Sequence, residues 1–155
     1  MFRCLKGFSN SLTCRGLTEK SAEYFFTKLK NTTAKKIIDV RLNNVSQLAG
    51  FTKKNDLAFF LKTILNWEYL YCPELAPTKD ILDDYKHKEI TWKDYEARYL
   101  ELLRRRRIER VVTKEILADS VLLCSEKSPE FCHRRLAAEY LNEKFDNFFS
   151  IIHLI

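Results

Sequence analysis

The residues best equipped for chemistry fall in one stretch, Cys124-Ser125-Glu126-Lys127-Ser128-Pro129-Glu130-Phe131-Cys132-His133-Arg134-Arg135. It carries two thiols, an imidazole, two carboxylates and two guanidinium groups. A thiol near a helix N-terminus has its thiolate favoured. Carboxylate and imidazole side chains move protons, and guanidinium groups hold carboxylate or phosphate. The apolar run Val121-Leu122-Leu123 ending on Cys124 predicts a buried strand over 120–124. Ser128 as N-cap and Pro129 at the first helical position predict a helix over 129–144. Cys132 and His133 then lie near its first turn, where backbone N–H groups and the helix dipole favour negative charge.

On that helix Leu136, Ala137, Tyr140 and Leu141 form the buried stripe. His133 falls at its centre, Cys132 and Arg134 flank it by about 100° on either side, and Arg135 points to solvent. His133 therefore reads either as a core histidine satisfied by a backbone carbonyl or as a group that orients a reacting partner. Cys124, continuing an apolar strand, reads equally well as a small hydrophobe. Arg134 is expected to turn toward Arg41 or to pair with Glu126 or Asp39. Metal binding by Cys124, Cys132 and His133 would need a fourth ligand such as Asp39, His87 or Cys72, and the spacing is not a standard zinc pattern. No metal ligand is assigned, and no cofactor is named. A phosphatase- or sulfurtransferase-type cradle needs Arg six residues after its Cys. Glu130 stands there and would repel the anion, which excludes that identity.

The elements that must position this stretch are legible as alternating patterns. Residues 11–15, closed by Gly16, compete with 2–5 for the first strand. Thr18 caps a helix over 19–30 whose stripe is Ala22, Phe25, Phe26 and Leu29. Lys36 to Arg41 reads as a buried strand, followed by a polar loop over 42–51 that contains Ser46. After a Thr52 cap, Leu57, Phe60, Leu61, Ile64 and Leu65 share one helical face. Residues 68–72 form a short strand, and Pro73 and Pro77 force a loop. Helices follow from Thr78 to about Tyr85 and from Thr91 to about Arg107, the latter with Tyr95, Tyr99, Leu102 and Leu103 inside. A short helical or connecting piece spans 114–119, and Phe148 to Leu154 is the last strand.

This order predicts an α/β fold, a mostly parallel, Rossmann-like sheet flanked by helices, with a helical pair inserted near 78–107. One domain over 1–155 is expected, with residues 1–11 as an N-terminal extension. Only three Gly and three Pro argue against an all-β sandwich. The net charge of +6 permits an anionic partner. Arg104 to Arg107 with Arg110 concentrate positive charge at one helix end, as a solvated face or a phosphate contact. The five cysteines are odd in number and widely spaced, and no signal-peptide or membrane-length apolar run is present. Reduced thiols and a cytoplasmic location are therefore expected, with no membrane partner.

In an open α/β sheet, ligands bind beyond the carboxyl ends of the strands. Arg41 and Cys124 both lie at such ends, so Asp39, Arg41 and the 124–134 loop share a rim if their strands are neighbours.

Several of these segments together resemble the DUF488 family. They are Ile38-Asp39-Val40-Arg41 with the following Leu42 to Phe51, and Leu123-Cys124-Ser125-Glu126 with Pro129 and Cys132-His133-Arg134-Arg135-Leu136. Ala138 to Leu141, Tyr69, Leu75 to Thr78, Thr91-Trp92, Ile152-His153-Leu154 and the opening Gly16-Leu17-Thr18 agree as well. Leu17 stands where an aromatic residue or His is often found. The resemblance spans residues 12–155 and implies a compact α/β domain with a site built from these motifs, but no established reaction.

The favoured expectation is an enzyme, or degenerate enzyme, binding a phosphate-bearing ligand, either a nucleotide or nucleic acid. Arg41, Ser46, Cys124 and Arg134 would face that ligand. Asp39, Glu126, Cys132 and His133 would be the catalytic groups, with Asp39 or Glu126 as acid or base. The alternatives are a non-enzymatic nucleic-acid or protein binding module with structural motifs, and a Cys/His thiol or metal site.

Overall fold

The computed structural model describes residues 11–16, 21–45, 50–126 and 128–154. The Ser46 expectation and the Thr18 cap fall outside them. Five parallel strands form one sheet in the order β3-β2-β4-β1-β5. They are β1 Ser11–Gly16, β2 Lys36–Asp39, β3 Glu68–Tyr71, β4 Ser120–Cys124 and β5 Ser150–Leu154. The helices are α1 Ala22–Lys30, α2 Lys54–Phe60, α3 Lys79–Lys86, α4 Trp92–Arg106, α5 Lys114–Leu117 and α6 His133–Lys144.

Strand side chains alternate between faces, and two cores result. Ile37, Val121 and Leu123 pack with Phe25, Phe26 and Leu29 of α1 and with Leu57 and Leu61. Leu12, Cys14, Ile38, Leu122 and Cys124 pack on the other face with α3, α4 and α6. The helical pair near 78–107 is thus an integral part of one covering layer.

The middle strand β4 is apolar on both sides from Val121 to Cys124 because both faces are covered. β4 is buried along its whole length. From β2 the chain runs outward to β3, whereas from β4 it runs to β5 on the opposite edge. Adjacent strands whose continuations diverge leave a crevice at their carboxyl ends. That crevice lies between Asp39 and Cys124.

Some boundaries differ from the sequence pattern for identifiable reasons. α1 is capped by Ser21, whose Oγ accepts from the Tyr24 N–H at 3.2 Å. Thr52 is buried in a 3-10 turn, and Lys53 holds the N-cap position of α2 with no side-chain capping bond. After Phe60 the helix widens into one π turn over Leu61–Leu65 and stops at left-handed Asn66 (φ 55°). The widened turn rotates Ile64 outward, leaving it 53% exposed where the 3.6-residue period places it inside.

Candidate functional site at the carboxyl edge of the sheet

On the α1 face of the crevice, Asp39 organises the groups around it. Its Oδ1 accepts from the Arg41 backbone N–H at 3.1 Å and from Nε at 2.8 Å. Its Oδ2 accepts from an Arg41 terminal nitrogen at 2.6 Å and from the Tyr69 hydroxyl at 2.5 Å. Arg41 also donates to the Thr52 carbonyl at 2.9 Å, and Asn44 donates to the Tyr69 oxygen at 3.3 Å. Burial opposes the charge on Arg41, but the Asp39 bonds prevail and raise its pKa. Burial, followed by the bond to Asp39, pushes the Tyr69 hydroxyl well above its usual value.

The α6 face of the same edge holds the sulfurs. α6 begins at His133, four residues later than the Ser128-Pro129 signal predicts. Ser128 instead closes a local turn, accepting from the Glu130 N–H at 3.2 Å. Cys132 is extended (φ −138°, ψ 130°) and becomes the N-cap, its Sγ accepting from the Arg134 N–H at 3.4 Å. Its Sγ lies 3.0 Å from Cys124 Sγ and 3.4 Å from a Glu126 carboxylate oxygen.

Arg134 is fully buried. One terminal nitrogen donates to Cys124 Sγ, to Cys132 Sγ at 3.2 Å and to the Glu126 carbonyl at 2.9 Å. Its partners are therefore two sulfurs and a carbonyl, not the Glu126 or Asp39 carboxylate expected from the sequence. Burial, then the bond with Cys132 and the nearby Glu126 charge, hold the Cys124 thiol far above its usual pKa, so it is protonated. Arg135 is half-buried rather than solvent-directed, donating to the Pro129 and Glu130 carbonyls and to Glu139.

His133 joins the two halves. Its Nε2 lies 3.0 Å from the Val40 carbonyl, which can only accept. Burial lowers its pKa against the raising effect of Glu126, so the ring is neutral near pH 7 with the proton on Nε2. Nδ1 then presents a lone pair, buried and without a hydrogen bond among the described residues, 3.8 Å from Glu126 Oε1. For Glu126, burial alone would raise the pKa. The neighbouring His133 and bonds from Cys124, its own backbone and Cys132 bring it below the usual carboxylate value.

Two further residues belong to the site and escaped the sequence pattern. Arg15 is fully buried at the end of β1. Among the described residues its three guanidinium nitrogens make no hydrogen bond, and the Tyr24 ring lies 5.1 Å from its carbon. Arg15 pairs in register with Leu123, which pairs with Asp39, so Arg15 and Asp39 flank Leu123 on one face. Gly16 follows, and a Cβ there would come within 1.9 Å of the Glu126 carbonyl oxygen. A charge closing an otherwise uncharged strand just before a glycine was the available signal for both.

The structure thus brings Asp39, Arg41, Cys124, Glu126, Cys132, His133 and Arg134 to one sheet edge. Exposed Leu42, Val45 and Phe131 belong to the segments that carry them. Cys124, Glu126 and Cys132 place their ligand atoms within 4.8 Å of one another, and neither Asp39, His87 nor Cys72 joins them among the described residues. A cavity of about 390 Å³ between α1 and α2 is lined by Phe26, Phe51, Phe60 and Ile64 and shares no residue with this site. Arg106 leaves the basic helix end to donate to the Glu74 and Ala76 carbonyls at 2.6 and 2.7 Å.

A parallel α/β sheet with its polar groups gathered at the switch-point edge defines the class of protein. Residues 21–141, most of the chain, match the domain of unknown function DUF488, and the chain belongs to that family. No curated protein and no solved structure matches it. Among the described residues, no helix is long and apolar enough to cross a membrane.

Proposed function

We propose that the protein binds a phosphate-bearing ligand at the carboxyl edge of β1, β2 and β4 and acts on it as an enzyme. The observation that carries this reading is Arg15, a fully buried guanidinium with no hydrogen-bond partner among the described residues. Burying an unpaired charge costs several kcal/mol. A cation–π contact with Tyr24 returns only about 0.5–2 kcal/mol. Asp39 cannot make up the difference, because its two oxygens already accept four hydrogen bonds. An incoming anion supplies what the fold leaves out, and a phosphate group offers several acceptor oxygens to a planar guanidinium.

Arg41 and Arg134 add positive charge while their own bonds stay inside the protein, so they position the edge rather than grip the ligand. The sequence also offers Ser46 and Cys124 for the ligand-facing set, but Cys124 is buried on the α6 face with its sulfur on Arg134 and Cys132. Glu126 and His133 are the proton-handling pair: Nδ1 of His133 has an unused lone pair beside the Glu126 carboxylate. Asp39 holds Arg41 and Tyr69, and Cys132 offers a sulfur next to that pair.

Calorimetric titration tests the reading, using nucleoside mono-, di- and triphosphates, pyrophosphate and a short single-stranded oligonucleotide. At least one should bind, and Arg15→Gln should weaken it tenfold or more, about 1.4 kcal/mol. A nucleotide that binds without the oligonucleotide identifies a small-molecule site. Preference for the oligonucleotide, with a steep salt dependence, moves the reading to nucleic acid. Failure of every ligand to bind, or binding unaltered in Arg15→Gln, removes it.

A further inference from the structure

We infer that Cys124 and Cys132 form a dithiol redox centre that a hydroperoxide converts to an intramolecular disulfide. The inference is independent of the ligand proposed above. The two Sγ atoms lie 3.0 Å apart, closer than a usual non-bonded sulfur contact and one short movement from a bond. They come from different elements, the end of β4 and the N-cap of α6, brought together by an eight-residue separation. The approach is held from two sides. Arg134 donates from one nitrogen to both sulfurs, and Glu126 receives the Cys132 S–H at 3.4 Å.

The chemistry follows from those contacts. Glu126 takes the Cys132 proton as the sulfur attacks the terminal peroxide oxygen. The O–O bond breaks, an alcohol or water leaves with that proton, and Cys132 becomes a sulfenic acid. Cys124 then attacks the Cys132 sulfur while Glu126 takes the Cys124 proton and passes it to the departing hydroxyl, so the S–S bond forms as water is expelled. The two sulfurs together lose two electrons, and the peroxide gains them. Arg134 offsets negative charge on Cys132 during the first step and on neither sulfur afterwards. Ser128, Glu130 and Phe131, which precede Cys132 in the chain, are exposed, so the surface lies within a few residues of the sulfur.

A metal ion would compete for the same three ligands. Arg134 argues against it, since a permanent cation already bonds both sulfurs. Nor do the other described thiols offer an equivalent pair. Cys14 is buried and pushed up to about 12 by that burial. Cys72 is pushed up to about 11 by burial and by its bond to Glu74.

The test uses the full chain, fully reduced, then treated with hydrogen peroxide and denatured for thiol titration. The five thiols of the sequence should fall to three, one pair having been consumed. Trypsin cuts after Lys114, Lys127 and Arg134, which separates Cys124 from Cys132. Mass spectrometry should find peptides 115–127 and 128–134 joined, and dithiothreitol should part them. Cys124→Ser should stop at a sulfenic acid on Cys132, trapped by dimedone. Five thiols remaining under excess peroxide overturn the inference, as do links through Cys14 or Cys72. So does one equivalent of zinc retained by protein purified without a tag, which would assign the sulfurs to a metal.

Discussion

Arg15 and Arg41 are two arginines on one sheet edge with opposite solutions to burial. Arg41 has a bidentate carboxylate, so removing that partner strands a charge. Asp39→Asn should cost about 3–5 kcal/mol in urea denaturation, and the Tyr69 hydroxyl bond should weaken with it. Among the described residues Arg15 has no such partner to lose. Arg15→Met keeps an unbranched chain and discards the unpaired charge, so the ligand-free protein should gain about 1–3 kcal/mol. A variant that becomes more stable while losing phosphate binding is the signature of a group kept for its ligand. If Arg15→Met instead destabilises the ligand-free protein, the guanidinium is satisfied in some other way. Gly16 gives the third residue-level case. Its missing side chain lets the Glu126 carbonyl approach the end of β1. Gly16→Ala must move that backbone, and denaturation should register a loss of about 1–3 kcal/mol.

At the level of elements, local signals proved reliable where the side chain bonds its own backbone. Thr91 and Asp94 form a reciprocal capping box, with Thr91 Oγ1 accepting from the Asp94 N–H at 3.2 Å and Asp94 accepting from the Thr91 N–H at 3.0 Å. Thr91→Ala should cost about 1 kcal/mol, read as a lowered urea midpoint. Tyr95, Tyr99, Leu102 and Leu103 are buried as their spacing requires, and Tyr99 donates to the Leu75 carbonyl at 2.6 Å. α6 starts later than its Ser128-Pro129 signal because the same pair supplies equally good chemistry for a turn. Only packing decides that Cys132 remains extended, and its sulfur then does the work of a capping oxygen. The period of α2 was also true in pattern and altered in place, since one widened turn rotates Ile64 to solvent. The gathering of Asp39, Arg41 and the 124–134 segment was conditional on strand order. Hydrophobic periodicity carries no information about which parallel strand neighbours which, so the pattern marks Arg15 as the end of a strand and no more.

The whole molecule should report the state of this edge through its stability against pH. The buried ring of His133 faces the Val40 carbonyl, Glu126, Arg134 and Asp39. Burial, with Arg134, outweighs the acidic neighbours and holds its pKa below the ordinary 6.5. The unfolded chain therefore takes up a proton near that value while the folded chain does not. Stability is fully present above it and declines as pH falls through it. His153 on β5 is displaced in the same direction, by burial and then by Arg134, so it shares this decline. Glu126 adds a second step of the same sign. Its folded pKa lies below the ordinary 4.5, so its contribution is present above that value and lost as pH falls further. Urea midpoints measured from about pH 8 to about pH 4 should show a plateau, a first decline below about pH 6.5 and a second below about pH 4.5. His133→Gln keeps an amide donor for the Val40 carbonyl and removes the titration. It should shrink the first step to the His153 share and leave the second step in place, reduced by the loss of the His133 charge. A first step that grows in His133→Gln would mean that the ring is charged in the folded protein, with Nδ1 donating to Glu126; a step of unchanged size would mean that the ring titrates alike folded and unfolded.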